Sequence, residues 1–322
     1  QEKSQFVYIF LNLLKVSSIR VFIVLILSLI HLSYNDFNNV PKVKVIYQNI
    51  TVRETFAKKI KLGQWRHHVF IYRLYNKRQL LYRSCCTGNI ITEDRVLTSA
   101  HCFLTNRKRL KIKLKDLRVV GGILSTTARE PIEDDVQQWR KIQHIYSQKF
   151  FRFPAFNLAI LRLNKMWVFN QFVNKIPYSK LNQNFDGICS GFILKSTTSW
   201  SSTKSVFVVE MQIYPQRTCE QLLLRSCEQY YSSESIPTLS STETEGAGLV
   251  CFQTGDPAEH ETDGVLVGVT SLMNKNLPNL HTRIGLFHDW VTNAATGHNC
   301  NALCIVLIID CAICMFVNRL FM

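Results

Sequence analysis

The chain has 322 residues, of which 47% are hydrophobic and 19% charged, and this composition excludes a disordered or collagen-like protein. Lys and Arg total 38 against 23 Asp and Glu, which gives a net charge of +15 and favours acidic partners such as glycans, anionic lipid or nucleic acid. The 11 cysteines argue against a reducing cytosol and predict an exported, disulfide-bonded protein.

The N-terminal segment, residues 1–33, has the pattern of a secretory signal. The apolar run Val21–Ile30 follows Lys15 and Arg20, and alone it is too short to span a bilayer. A clear cleavage site is missing, so the segment is either a signal peptide or a retained signal-anchor. Residues 34–53 are interpreted as a linker or pro-segment. They contain Asn49, which begins a glycosylation triplet that matters only if the chain is exported.

Short apolar or alternating segments recur through the middle of the chain. They predict strands at residues 69–74, 89–92, 158–163, 206–213 and 265–272. Gly, Pro, Ser and Asn separate them, and the best short helix is at 287–295. Many short strands with turns between them predict an all-β sandwich or barrel.

The segment 105–118 is strongly basic. Lys111, Lys113 and Lys115 alternate with apolar residues, which predicts a strand with one buried and one cationic face. Its cationic side is either a solvated strand face or a polyanion-binding patch. The seven basic residues are Arg107, Lys108, Arg109, Lys111, Lys113, Lys115 and Arg118.

The C-terminal segment, residues 299–322, is an apolar tail that contains Cys304, Cys311 and Cys314. Asp310 interrupts the tail and weakens a membrane-anchor interpretation, so the alternatives are membrane attachment or a tail packed on the domain. The cysteine spacing resembles a metal site only loosely. We expect no metal and no cofactor.

Residues 86–103, CTGNIITEDRVLTSAHCF, resemble the histidine segment of the trypsin/chymotrypsin family of serine peptidases. Further segments resemble the family's later motifs in the right order. They are FNLAILRL at 156–163, GLVC at 248–251, GVTSL at 268–272 and PNLHTRI at 278–284. The resemblance covers about residues 54–298 and implies two packed antiparallel six-stranded barrels with a short C-terminal helix.

By this resemblance His101 is the general base of the family's catalytic triad. The position of the triad acid holds Asn157, and the position of the nucleophilic serine holds Glu245. An amide in place of the acid costs about 10⁴ in kcat. Loss of the nucleophile costs about 10⁶, and the two losses do not add because the residues act as one unit.

Further family features are missing in pairs. Glu243 stands where a flexible glycine precedes the nucleophile, and Thr244 stands where an Asp pairs with a new N-terminus. Residues 54–57 lack the Ile-Val-Gly-Gly sequence that would form this N-terminus. Neither cysteine of the specificity-pocket disulfide is at its expected place, around Ser241 and within 273–277.

The resemblance implies three fold disulfides. They are Cys86–Cys102, Cys189–Cys251 and Cys219–Cys227. Five cysteines have no family partner, namely Cys85, Cys300, Cys304, Cys311 and Cys314.

Three functions follow as hypotheses. The leading one is an exported, non-catalytic homologue that binds a protein partner: a protease, an inhibitor or a protease substrate. The second is an active serine-type endopeptidase that uses another hydroxyl, from Ser240, Ser241, Thr242 or Thr244. The third is a surface protein that binds an anionic glycan. We expect no nucleic-acid partner, and a secreted or membrane-anchored protein.

Overall fold

The computed structural model describes residues 57–131, 136–184, 187–196, 204–234, 244–274 and 277–296. The predicted signal, the linker with Asn49 and the apolar tail lie outside these residues. Within the described ranges no helix is long and apolar enough to cross a membrane.

Antiparallel strands are the main regular structure of the described chain. In chain order they are β1 (Ala57–Lys59), β2 (His68–Asn76), β3 (Leu81–Ile90), β4 (Arg95–Thr98), β5 (Leu117–Gly121), β6 (Thr127–Arg129), β7 (Gln138–Arg140), β8 (Ile142–Ser147), β9 (Ala159–Leu163), β10 (Ile188–Ser196), β11 (Lys204–Tyr214), β12 (Tyr230–Ser233), β13 (Gly248–Cys251), β14 (Val265–Leu272) and β15 (Asn279–Arg283). The α-helices are α1 (Gln216–Leu223) and α2 (His288–Thr296). Short 3-10 turns cover Ala100–Cys102, Leu114–Asp116 and Gly285–Phe287.

The N-terminal sheet curls around its own apolar core. Its strands follow the order β7-β5-β2-β3-β4-β9-β8, and β6 pairs with β3. Apolar side chains such as Val69, Ile71 and Leu161 are fully buried between its strands. This core supports β4 and β9, the two strands next to His101 and Asn157.

The C-terminal sheet closes into a six-stranded barrel. The order is β11-β10-β13-β14-β15-β12, and a β11–β12 pairing closes the ring while β1 adds to the outside of β11. Val209, Leu249 and Val267 are fully buried inside it. The all-β, two-barrel class implied by the resemblance is therefore confirmed, with the N-terminal sheet curled rather than closed.

The predicted strands at 69–74, 158–163, 206–213 and 265–272 are confirmed to within two residues at their ends, and the helix at 287–295 corresponds to α2. The strand predicted at 89–92 ends at Ile90.

The prediction of a strand over 111–115 is wrong. These residues form a loop that leads into the Leu114–Asp116 turn. Ile112 and Leu114 are half-buried against the N-terminal core. The alternation of apolar and basic residues therefore reflects a loop lying across the core, not pairing in a sheet.

Three disulfides join six of the described cysteines, and they are the three pairs that the resemblance implies. Cys86–Cys102 connects β3 to the turn that carries His101. Cys189–Cys251 joins directly opposed residues of β10 and β13, and Cys219–Cys227 links α1 to the segment before β12. Such bridges are typical of extracellular proteins.

Candidate functional site

His101 lies in the short turn that follows β4. The Cys86–Cys102 disulfide fixes the next residue of the turn. The backbone N–H of His101 donates to Oδ1 of Asn157 at 2.8 Å. The imidazole side chain is 32% exposed, so one side of the ring faces solvent.

Asn157 is fully buried just before β9. Its Oδ1 accepts the His101 backbone N–H, and its Nδ2 donates to Oγ of Ser271 on β14 at 2.6 Å. Both bonds anchor the amide to the scaffold, and neither reaches the imidazole. Asn157 therefore does not orient the ring.

Glu245 takes the place next to the imidazole. Its Oε2 lies 2.8 Å from Nδ1 of His101, and the carboxylate side chain is only 7% exposed. Glu245, at the sequence position of the nucleophile, therefore contacts His101 through a carboxylate and not through a hydroxyl.

The turn that carries Glu245 is held by the opposite sheet. The Thr87 N–H donates to the Glu245 carbonyl at 2.9 Å, and the Asn89 side chain donates to the Gly246 carbonyl at 3.0 Å. Gly246 has φ +90°, and a Cβ there would lie 2.1 Å from the Thr87 carbonyl oxygen. Only glycine fits this close approach.

Two residues touch the site that sequence reasoning did not place there. Lys111 donates from Nζ to the His101 carbonyl; burial lowers the pKa of Lys111, and the nearby Glu245 carboxylate opposes this shift. Phe153 lies with its ring centroid 4.2 Å from that of His101. Neither had a motif to reveal it, because both come from loops that only the fold brings to His101.

Thr244 is the one proposed alternative nucleophile within the described residues. It is fully buried, and its hydroxyl has no hydrogen-bond partner in the part of the chain that the structure describes. The Thr244 hydroxyl is therefore closed to solvent in this structure. Ser240, Ser241 and Thr242 lie outside the described residues.

The residues of the basic segment make different contacts. Lys111 donates to the His101 carbonyl, Lys108 donates to the Lys149 carbonyl, and Arg118 pairs with Glu130 at 3.1 Å. Exposed side chains of the segment include Arg107, Lys108, Arg109, Lys113 and Lys115.

No group of three or more His, Cys, Asp or Glu side chains that could hold a metal ion occurs among the residues the structure describes. The site thus combines an imidazole, a buried carboxylate and a structural amide, without an accessible hydroxyl among its described residues. A family model described as Trypsin matches residues 57–291.

Proposed function

Since the chain belongs to the trypsin family of serine peptidases, we propose that it is a non-catalytic member that acts outside the cell as a binding or regulatory module. Were it active, its family would make it a serine endopeptidase.

The observation that carries the proposal is the contact between Glu245 Oε2 and His101 Nδ1 at 2.8 Å. Acyl transfer in this family needs a hydroxyl whose proton the imidazole removes. A carboxylate has no such proton, and its attack on an amide would give an anhydride, which is a poor intermediate at neutral pH. Loss of the nucleophile alone costs about 10⁶ in kcat.

The environment of His101 supports the same conclusion. The amide of Asn157 is used by the backbone and by Ser271. The imidazole ring nitrogen that a triad acid would hold is bonded to Glu245 instead. The buried Thr244 offers no accessible replacement hydroxyl.

Binding is the function that this scaffold retains. Trypsin-like domains commonly bind protein substrates or inhibitors, so the proposed partner is a protease, an inhibitor or a protease substrate. The three disulfides and the signal-like N-terminal pattern support secretion.

A serine-directed fluorophosphonate tests the loss of catalysis. The full chain is produced in a secretory host and incubated with a high dose of the probe, with an active trypsin as positive control. We expect trypsin to be labelled and the chain to remain unlabelled. Labelling of the native chain that disappears in His101→Ala would show a hidden nucleophile and overturn the proposal.

A further inference from the structure

Two neighbouring turns beside His101 form a surface that we call the basic–aromatic rim, defined as residues 107–110 and 149–152. These eight residues include five cations and no carboxylate. The turns are joined directly, because the Phe153 N–H donates to Oδ1 of Asn106 at 2.9 Å and Lys108 Nζ donates to the Lys149 carbonyl. The two turns therefore lie side by side, and of their eight side chains only Phe151 is buried in the N-terminal core.

Exposed apolar side chains stand among these cations. Phe150 is 66% exposed and Leu110 is 51% exposed. The Phe150 ring is 5.9 Å from that of Phe156, and the Lys149 ammonium lies 5.7 Å from the Phe150 ring centroid. Large exposed rings beside cations are typical of binding surfaces.

The rim continues into the altered site. Phe153 follows the rim and contacts the His101 ring, and Lys111 follows it on the other turn and binds the His101 carbonyl. A partner seated on the rim would therefore lie next to His101.

We propose that the basic–aromatic rim binds an acidic polypeptide segment that carries aromatic or aliphatic side chains. This inference deepens the proposed binding role and rests on it. Carboxylates of the partner would pair with the rim's arginines and lysines, and its apolar side chains would cover Phe150 and Leu110. A sulfated glycan would satisfy the cations but would leave both apolar side chains exposed to water.

Binding to three probes tests the rim. The probes are a labelled peptide of alternating glutamate and phenylalanine, the same peptide with serine in place of phenylalanine, and heparin. We expect the full chain to bind the phenylalanine peptide about tenfold more tightly than the serine peptide, since a buried aromatic anchor carries much of such an interface. Phe150→Ala should remove about tenfold of affinity for the phenylalanine peptide only.

A second variant tests the contribution of the rim's positive charges to binding. Arg107→Gln with Arg109→Gln should weaken both peptides and reduce the salt dependence of binding. Tyr75→Ala is the matched aromatic control, because Tyr75 is 64% exposed on β2, and Lys58→Gln with Lys59→Gln on β1 is the charge control. Neither control should change binding.

Preference for heparin, equal affinity for both peptides, or no binding would each overturn the inference. These outcomes are independent of the fluorophosphonate result, so a failure at the rim can be told apart from a failure of the proposed loss of catalysis.

Discussion

The two halves of the domain contribute to the site in different ways. The N-terminal sheet supplies His101, held by the adjacent disulfide and by its bond to Asn157. The C-terminal barrel supplies the turn of Glu245, whose backbone carbonyls accept hydrogen bonds from Thr87 and Asn89 of the N-terminal sheet. These bonds hold the backbone at the nucleophile position without using the Glu245 side chain, which contacts His101. Catalysis can therefore be lost while the two sheets remain joined.

Acidification should have the largest effect on stability. Both halves bury histidines that stay neutral, two in the N-terminal half and one in the barrel. His67 and His68 belong to the N-terminal half, and His281 to β15 of the barrel. Burial lowers the pKa of His67 to about 3 and that of His281 to about 4, and it lowers the pKa of His68 well below its usual value. Below pH 6.5 these histidines bind protons in the unfolded chain but not in the folded chain. The free energy of unfolding therefore has its full value above pH 6.5 and falls as the pH decreases.

Each of these histidines should remove about 1.4 kcal/mol of stability per pH unit below its unfolded pKa. We expect cooperative acid unfolding, measured by circular dichroism, well above the pH at which carboxylates titrate. Both ring nitrogens of His68 lack hydrogen-bond partners among the described residues, and its ring stacks on Phe192 at 3.4 Å. His68→Leu should move the midpoint to lower pH, while His260→Gln at an exposed position should not. An unchanged midpoint in His68→Leu would contradict this account.

Gly246→Ala breaks the turn shared by the two halves. The new Cβ would lie 2.1 Å from a backbone oxygen, at a residue with positive φ, so we expect a loss of at least about 3 kcal/mol in urea unfolding. Gly255→Ala is the matched control. That glycine also has positive φ, +72°, but nothing lies within 4 Å of its Cβ position, so only about 1–2 kcal/mol should be lost. Equal losses would show that the contact with Thr87 does not constrain the turn.

Glu245→Gln should have the smallest effect on stability. The amide oxygen can still accept from Nδ1 of His101, and the imidazole is partly exposed, so less than about 1 kcal/mol should be lost in urea unfolding. A loss above about 3 kcal/mol would instead give the carboxylate a structural role comparable to that of Gly246.

The site residues that belong to local sequence motifs could be located from the sequence. VLTSAHC singled out His101, and the resemblance gave Glu245 as the residue at the nucleophile position; the structure brings the two within 2.8 Å of each other. The sequence did not predict that Lys111 and Phe153 contact His101. Contacts between loops depend on tertiary packing and leave no periodic pattern in the sequence. The strand predicted at 111–115 was wrong for the same reason. A loop that is half-buried along its length has the same alternation of apolar and polar residues as a strand.

Peptide cleavage tests the central claim most directly. The full chain and His101→Ala are each incubated with a mixed peptide library, and the products are identified by mass spectrometry. The account predicts that both samples match the library incubated without protein. Cleavage products that appear with the native chain and vanish in His101→Ala would show that the pair of Glu245 and His101 does not abolish catalysis.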